Sequence, residues 1–452
     1  MMRPNILYIH SHDTGRYVQP YGYAVPTPRI QQLAEEGVLF RQAFCAAPTC
    51  SPSRAALLTG TAPHTNGMLG LAHRGSRLHD NTWHLAHVLR EGGYATALAG
   101  AQHEAPEAQR AALGYDQLLD ADPVAAAPDW QEDIARRSAA FLARPHDRPF
   151  FLSCGFLVTH RTGWGRQWFN DQASPVGDPR YCRPPVPLPD LPETRQDFAD
   201  FCISAARLDR YMGIVFDALE TSGLAEQTLV ICTTDHGVAF PLMKCNLTDH
   251  GTGVMLILRG PNGFSGGTVV EALVSHLDVF PTVCELAEIP VPSHVQGRSL
   301  VPLVTGDAAA IHDAIFSEVN YHATVEPMRT VRTARYRYIR RFSPQPGPIL
   351  SNCDDSISKE VLLAHGWAAH PWPEEALYDL YFDPHEACNL AGDPAHAAIL
   401  SDLRGRLDRW MQETGDPLCQ GRLDPWPEMT VNPIDDPSPQ SPMVPAEPFL
   451  VN

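Results

Sequence analysis

Residues 45–60 read CAAPTCSPSRAALLTG, a proline-containing loop that runs into an apolar stretch. A strand is predicted just before this loop, over Val38 to Ala43, at a length typical of strands. A helix is predicted after the loop, beginning near Ser53. Cys50 would then lie beside a helix N-terminus, where backbone N–H groups favour a bound anion. The segment therefore predicts a cysteine that is presented to an anionic ligand beyond the end of a strand.

The rest of the chain alternates predicted strands with predicted helices, which is typical of an α/β fold. The predicted strands cover Asn5 to His10, Tyr94 to Gly100, Pro149 to Phe156, Leu229 to Thr234 and Val254 to Leu258. The predicted helices cover Thr27 to Gly37, Thr82 to Gly92, Ile134 to Ala143 and Phe198 to Glu220. We expect a large mixed, mostly parallel sheet flanked by helices, with ligands collecting at the carboxyl ends of its strands.

The pattern of residue types changes after about residue 325. Arg329 to Arg341 is basic and aromatic and is predicted as a strand, with a second strand over Leu377 to Leu380 and a helix near Leu400 to Glu413. We predict a smaller C-terminal α+β domain here, followed by a proline-rich tail that forms an extended strap or a loose end. The predicted boundaries are a large domain over residues 1–325, the α+β domain over 326–422 and the tail over 423–452.

Charge and composition argue against several classes of partner. The formal net charge of −18 argues against a nucleic-acid or anionic-membrane surface, so that attraction to an anion must be local. The first apolar run, Asn5 to Ile9, is too short for a signal peptide, and no run approaches the ~18 residues of a membrane span. We therefore expect a cytoplasmic protein. The eleven cysteines are an odd number without paired spacing, which predicts reduced thiols.

Acidic and histidine side chains follow two of the predicted strands. His12 and Asp13 come after the first strand, and Asp235 and His236 come after the strand that ends at Thr234. Because the carboxyl ends of parallel strands meet at one edge of a sheet, we expect these side chains to lie together near Cys50. Carboxylates and imidazoles at such a place can hold a divalent cation. The predicted metal ligands are His12, Asp13, Cys50, Asp235 and His236.

The block from Cys50 to Gly60 resembles the maturation signature of type I sulfatases, C-x-P-S-R followed by L-T-G. The resemblance implies an alkaline-phosphatase-like fold. It also implies that a separate formylglycine-generating enzyme oxidises Cys50 to formylglycine, whose hydrate is the nucleophile. A gem-diol suits sulfate esters and sulfamates, because one oxygen attacks sulfur and the other can later expel sulfate as the aldehyde reforms.

The resemblance extends along nearly the whole chain. Further matching blocks are Thr233 to Gly237, Asp278 to Thr282, Gly297 to Leu300, Leu377 to Leu380 and Asp383 to Glu386. Within the family the chain looks most like heparan N-sulfatase, on the segments His64 to Met68, Phe156 to Arg161 and Pro327 to Arg329. The implied reaction is hydrolysis of a sulfate ester or sulfamate on a sulfated sugar, with N-sulfoglucosamine as the leading candidate.

Further site residues follow from the same resemblance. Arg54 would steady the formylglycine and its bound sulfate, and Lys244 would also bind the sulfate. His103 would take a proton from the diol during sulfate release, and His160 would protonate the leaving group. Independently of the resemblance, the long loop between Gly163 and Pro192 is predicted to form the rim of the substrate site.

Two positions depart from the family pattern. His12 stands where the family most often has an acid, and the imidazoles of His12 and His236 make Mn²⁺ or Zn²⁺ a competitor of Ca²⁺, the usual family metal. Ala101 stands where the family has a sulfate-binding lysine, which removes one cation from the sulfate pocket.

Two alternatives to a sulfatase stay open on the sequence. One is a phosphonate or phosphate ester hydrolase of the same superfamily, and the other is a non-catalytic protein that binds sulfated glycans. The expected partners are a small sulfated sugar or oligosaccharide and the maturation enzyme, with neither nucleic acid nor a membrane. No oligomeric state is predicted.

Overall fold

An eight-stranded sheet is the centre of the computed structural model, which describes residues 3–119, 129–169, 174–343 and 345–451. Its strands are β1 (Asn5–Ser11), β2 (Val38–Phe44), β3 (Ala95–Gly100), β4 (Gln117–Leu118), β5 (Phe150–Gly155), β6 (Thr228–Thr234), β7 (Leu256–Arg259) and β8 (Thr268–Ser275). They lie in the order β4-β3-β5-β1-β6-β7-β2-β8. Of these described strands only β7 runs antiparallel to its neighbours, β6 and β2. The prediction of a large, mostly parallel sheet is confirmed.

Helices cover both faces of this sheet. The α-helices are α1 (Pro28–Glu36), α2 (Cys50–Thr59), α3 (Pro63–Asn66), α4 (Leu85–Glu91), α5 (Trp130–Leu142), α6 (Pro192–Thr221), α7 (Asp249–Thr252), α8 (Val279–Leu286), α9 (Val301–Thr305), α10 (Ile357–Ala364) and α11 (Ala397–Glu413). Along β1, Ile6 and Tyr8 join the core formed with α2, α4 and α8, whereas Leu7 and Ile9 join the core formed with α1, α5 and α6. Burial of both faces explains why the central strands β1, β5 and β6 are largely apolar. None of the described helices is both long and apolar enough to cross a membrane.

The register of the sheet decides which loops meet at its carboxyl edge. Ser11 at the end of β1 pairs with Thr234 at the end of β6, so the two segments that follow emerge side by side. On the other side of β1, His10 pairs with Gly155 of β5, and Gly155 pairs with Gly100 of β3. The loops after β1, β3, β5 and β6 therefore start next to one another.

Helix α2 begins earlier than the sequence predicts, at Cys50 rather than near Ser53. The amide of Ser53 already donates to the carbonyl of Thr49 at 2.9 Å, which closes the first helical turn around Cys50. Pro52 does not prevent this, because amide groups in the first turn of a helix have no partner within the helix. Cys50 is therefore the first residue of the helix itself.

A second, antiparallel sheet forms the core of the C-terminal part. Among the described residues it has four strands in the order β12-β11-β10-β9, namely β9 (Ala314–Tyr321), β10 (Val325–Thr333), β11 (Tyr336–Arg341) and β12 (Glu375–Asp379). Leu403 and Leu407 of α11 pack against Val331 and Tyr338 of this sheet. Strand β9 precedes residue 325, so this sheet includes a strand from the segment that the sequence assigns to the large N-terminal domain. The domain boundaries stay a prediction.

The segment from Arg329 to Arg341, predicted to be strand-like, forms the hairpin of β10 and β11 and not one continuous strand. Thr333 closes the turn: its hydroxyl donates to the carbonyl of Tyr336 at 3.1 Å and accepts from the Tyr336 amide at 2.9 Å. A side chain that bonds the backbone across a turn gives no periodic signal in the sequence.

The proline-rich tail crosses the N-terminal part as an extended segment, which we call the C-terminal strap (residues 423–451). It includes β14 (Thr430–Val431) and β15 (Val444–Pro445), which pair with each other, and β16 (Phe449–Leu450), which pairs with β13 (Arg422–Leu423). The indole of Trp426 donates to the carbonyl of Gly67 at 2.8 Å, and Arg74 donates to the side chain of Asn432 at 2.8 Å. Of the two predicted forms, the strap is the one observed.

A buried ion pair connects the two parts of the chain. Arg161 donates both terminal nitrogens to Asp197, at 2.9 and 2.8 Å, and its Nε donates to the carbonyl of Ala239 at 2.7 Å. The hydroxyl of Ser358, in α10, donates to the same carboxylate at 2.6 Å. The guanidinium also lies 3.9 Å from the ring centre of Phe169. Both charged side chains are buried, so each depends on the other.

Replacing Arg161 by alanine should lower the free energy of unfolding by about 3–5 kcal/mol, because Asp197 would remain as an unpaired buried charge. Urea unfolding followed by tryptophan fluorescence measures this change. Arg41→Ala is the matched control, since its partner Glu271 is 63% exposed, and it should cost less than about 1 kcal/mol. Equal, small losses of unfolding free energy in the two variants would contradict the interpretation of Arg161 and Asp197 as a buried ion pair.

Candidate active site

Five side chains meet at the carboxyl ends of β1 and β6, and we call them the ligand group (His12, Asp13, Cys50, Asp235 and His236). Potential ligand atoms of His12, Asp13, Cys50 and Asp235 lie within 4.8 Å of one another. His236 Nε2 lies 3.4 Å from Asp13 Oδ1 and 3.4 Å from Cys50 Sγ. All five side chains are buried. The structure thus brings together every residue that the sequence predicts as a metal ligand.

Unpartnered atoms in the ligand group fit a cation. Neither ring nitrogen of His12, nor Oδ1 of Asp13, has a hydrogen-bond partner among the described residues, although all three atoms are buried. Buried polar atoms without a partner are costly, and a bound ion would remove that cost. Burial and the charge of Arg54 hold the pKa of His12 well below its usual range, so this imidazole is neutral, the form that binds metal. The mixed nitrogen, oxygen and sulfur donors suit a divalent cation.

Backbone strain occurs at one predicted site residue and at the direct neighbours of two others. Asp13 has a φ of 49°, Thr159, which precedes His160, has a φ of 79°, and Cys245, which follows Lys244, has a φ of 65°. Such left-handed conformations are uncommon outside glycine and persist where surrounding contacts hold them. At Asp13 the contact is visible, because its amide donates to Asp235 Oδ1 at 2.8 Å. The strained positions therefore cluster around the ligand group.

Arg54 lies one helical turn after Cys50 and is fully buried. Its guanidinium donates to the carbonyl of Ser11 at 2.7 Å, to Asp235 Oδ2 at 3.1 Å and to His10 Nδ1 at 2.5 Å. Burial alone would raise the pKa of Asp235, but neighbouring groups, among them the Arg54 guanidinium and the Asp13 amide, hold the pKa well below its usual range. Arg54 is thus a fixed cation beside Cys50, tied to the ends of β1 and β6.

The remaining predicted catalytic residues border the ligand group. The rings of His103 and His160 have centres 4.6 and 5.9 Å from that of His12. Lys244 Nζ lies 3.1 Å from Asp13 Oδ2 and is buried. Burial lowers the pKa of Lys244, but the carboxylates of Asp13 and Asp354 outweigh it and hold the pKa well above its ordinary value. Lys244 is therefore a buried cation and not a surface lysine.

Ala101 faces a cavity where the family pattern has a lysine. The cavity has a volume of 460 Å³, and its lining includes Ser51, His73, Ala101, His103 and Trp130. Position 101 therefore contributes space and no charge.

Two residues near Lys244 were not predicted from the sequence. Asp354 accepts a hydrogen bond from Lys244 at 3.1 Å, and the buried His322 interacts with the charges of both. Asp354 lies in the loop before α10, after no predicted strand. His322 follows β9, a strand that was not predicted from the sequence. Only the packing of the C-terminal part onto the large sheet brings them to the site, so no local pattern could have indicated them.

Comparison with known proteins gives consistent matches. A family model described as Sulfatase matches residues 4–289, and one described as N-sulphoglucosamine sulphohydrolase, C-terminal, matches residues 243–346. Human N-sulphoglucosamine sulphohydrolase is 32% identical over 439 residues, which cover 87% of this chain and 87% of that protein.

Solved structures with the same fold are more distant in sequence. One, determined in complex with its substrate D-glucosamine-2-N, 6-O-disulfate, has a TM-score of 0.70 at 18% identity and covers 92% of this chain and 98% of its own. A phosphonate monoester hydrolase of Agrobacterium radiobacter has a TM-score of 0.65 at 22% identity and covers 93% of this chain and 98% of its own. At these identities the likeness shows a common fold.

Proposed function

Because the chain belongs to the sulfatase family, we propose that it hydrolyses a sulfate ester or sulfamate on a sulfated sugar, with N-sulfoglucosamine as the leading candidate. The human relative is named for that sugar, and one solved structure holds a glucosamine disulfate, which supports the substrate class. Two buried cations beside the ligand group carry the proposal: Arg54 donates to Asp235 Oδ2 at 3.1 Å, and Lys244 Nζ lies 3.1 Å from Asp13 Oδ2. Both would act on a sulfate group bound beside residue 50.

The charges around Cys50 fit an anionic substrate. Arg54 and Lys244 supply two positive charges, and a divalent cation in the ligand group would supply two more. The carboxylates of Asp13, Asp235 and Asp354 offset part of this charge. A sulfate ester or sulfamate and a phosphonate ester with one negative charge are both compatible with such a site, so both belong in the test.

The residues of this chain have separable roles in the proposed reaction. Conversion of Cys50 to formylglycine would supply a hydrated aldehyde as nucleophile. Arg54 and Lys244 would bind and orient the sulfate oxygens. His160 donates Nδ1–H to the carbonyl of Arg161 at 2.6 Å, which leaves Nε2 to carry the proton for the leaving group. His103 would accept a proton when sulfate is released.

The ligand group would hold one divalent cation, which would supply Lewis-acid polarisation of a sulfate oxygen. Ca²⁺ is the ion that the family resemblance favours. The imidazoles of His12 and His236 soften the donor set and also suit Mn²⁺ or Zn²⁺. The cytoplasmic location stays a prediction from the sequence.

Substrate assays and mass spectrometry test this proposal. Protein made in its native host should release sulfate from N-sulfoglucosamine, and the peptide that carries residue 50 should be lighter by about 18 Da, the change from thiol to aldehyde. A phenylphosphonate monoester, assayed in parallel, should react more slowly. Faster phosphonate hydrolysis would favour the alternative hydrolase, and an unmodified thiol in active protein would contradict the formylglycine mechanism.

A further inference from the structure

The cavity beside Ala101 joins the proposed catalytic residues to the protein surface. Ser51, which is buried and directly follows the predicted nucleophile, forms part of its wall, as does His103. The ring of His73, which also lines the cavity, has its centre 6.4 Å from that of His103. Trp130 lines the cavity too but is 53% exposed, so it marks the opening to solvent. A substrate whose sulfate group lies at residue 50 therefore has this space beside it.

One face of helix α5 forms a wall of the cavity. Four residues line the cavity at the spacing of a single helical face: Trp130, Asp133, Ile134 and Arg137. The start of the helix is held by Asp129, whose carboxylate accepts from the Gln131 amide at 2.9 Å and from Arg207 at 2.7 Å. Trp130 lies between Asp129 and Gln131, so its backbone is fixed at the mouth of the cavity. Its indole offers a flat apolar surface there.

The charged side chains along this part of the cavity occur in pairs. Within α5, Arg137 donates to Asp133 at 2.6 Å, and in the segment after β3, Arg110 lies 2.6 Å from Glu107. The two pairs add no net charge, so they do not favour a second sulfate group. Ion pairs nonetheless present hydrogen-bond donors and acceptors side by side, and a hydroxyl group can bond to both. This polar lining therefore suits a neutral ligand that is rich in hydroxyl groups.

The size and lining of the cavity agree with a sugar ring. Its volume of 460 Å³ falls within the range of about 300–1,000 Å³ that is usual for small-molecule sites. A pyranose ring has an apolar face of C–H groups, which packs well on an aromatic ring, and a rim of hydroxyl groups. Trp130 provides a surface for the apolar face, and the two ion pairs provide partners for the hydroxyl groups.

Ala101 provides part of this space. A lysine at position 101 would extend its four-carbon chain and its ammonium group into the cavity that Ala101 lines. Alanine thus leaves volume where the family pattern has a cation. Volume at this place serves a substrate that is larger than one sulfated sugar.

We propose that the Ala101 cavity is a subsite for a second sugar ring, so that the enzyme prefers a sulfated disaccharide or longer chain to a sulfated monosaccharide. The inference rests on the proposed function. The sulfated ring would lie at residue 50, and the neighbouring ring would pack on Trp130. A lysine at position 101 would exclude this second ring.

Two substrates that differ only in the second ring test the subsite: N-sulfoglucosamine, and the disaccharide in which its C1 is linked to glucose. The wild-type enzyme should have a kcat/KM about 10-fold or more higher for the disaccharide. Trp130→Ala should lower kcat/KM for the disaccharide by about 10-fold, the effect expected when a tryptophan that carries binding energy is truncated. It should lower kcat/KM for the monosaccharide by less than about 3-fold. Phe382→Ala is the matched control, because Phe382 is 83% exposed and lies beside Arg335 in the C-terminal part, and it should change neither value.

Ala101→Lys tests the same subsite by filling it. The added side chain should lower the ratio of the two kcat/KM values, disaccharide over monosaccharide, by about 10-fold. The added cation should keep or raise kcat/KM for the monosaccharide, since it would lie near the sulfate. Loss of structure would lower both values and leave their ratio unchanged, so the ratio is the decisive quantity.

Binding of unsulfated sugars tests the subsite without turnover. In calorimetric titrations, the wild-type protein should bind maltose about 10-fold more tightly than glucose, and Trp130→Ala should remove this difference. Equal wild-type kcat/KM values for the two sulfated substrates, or an unchanged ratio in both Trp130→Ala and Ala101→Lys, would overturn the inference. A protein that hydrolyses no sulfated sugar would contradict the proposed function. Its subsite would still stand if maltose binding depends on Trp130, and would fall if maltose and glucose bind equally.

Discussion

Cys50→Ala should abolish sulfate release, with a loss in kcat/KM of about a thousandfold or more. Alanine cannot be converted to an aldehyde, so the hydrate that would attack sulfur is never formed. The substitution removes one sulfur atom at the first residue of α2 and leaves Arg54 and the rest of the helix in place. Initial rates on N-sulfoglucosamine measure the loss, and near-ultraviolet circular dichroism shows whether the fold is kept.

Cys45→Ala is the matched control for this prediction. Cys45 lies in the same segment and is as buried as Cys50, but its side chain packs in the hydrophobic core beside β2. This variant should keep wild-type kcat/KM and lose only about 1 kcal/mol of stability. Near-wild-type turnover by Cys50→Ala would remove Cys50 from the mechanism, whatever the control does.

Removal of the cation proposed for the ligand group should lower kcat/KM by about two to three orders of magnitude, since a metal supplies several kcal/mol of charge stabilisation in such sites. It should also lower the melting temperature, because an ion that binds only the folded chain stabilises it. The physical cause is the same in both cases: the unpartnered atoms of His12 and Asp13 lose the ligand that satisfies them.

Dialysis against a chelator, with the metal content measured before and after, tests this prediction. Adding back Ca²⁺, Mn²⁺ or Zn²⁺ one at a time should restore both activity and melting temperature, and the most effective ion identifies the natural one. Recovery with Mn²⁺ or Zn²⁺ would agree with the two imidazoles in the ligand group. Full activity in protein shown to contain no metal would contradict the assignment of the ligand group as a metal site needed for catalysis.

Much of the site could be predicted because it depends on local sequence and on one rule of sheet geometry. Cys50 and Arg54 lie one helical turn apart in a single segment, and parallel strands end at the same edge of a sheet. Asp13 and Asp235 were therefore expected to meet, although they lie 222 residues apart in the sequence. The hydrogen bond from the Asp13 amide to the Asp235 carboxylate joins them. Lys244 lies beside Asp13 of the ligand group, as expected for the sulfate-binding lysine that the family resemblance implies.

Asp354 could be predicted neither from local sequence nor from the geometry of the sheet. It precedes α10 in a loop that no strand leads into, and it reaches Lys244 only after the C-terminal part has packed on the large sheet. The start of α2 was placed too late for a different reason, because Pro52 is compatible with a first turn as well as with a loop. Local patterns cannot distinguish two conformations that the same residue permits.

The C-terminal strap can form its contacts only late in protein synthesis. Arg74 and its partner Asn432 are 358 residues apart, so a ribosome that adds about 5–20 residues per second completes the pair on the order of 20 to 70 s after Arg74 emerges. During that interval the segment around Arg74 lacks its strap contacts, and this segment is the one that rests on α2, through the bond from the Ala72 amide to Ser51. Cys50 is 3% exposed in the folded chain, so the maturation proposed above would require access to this residue before these contacts form.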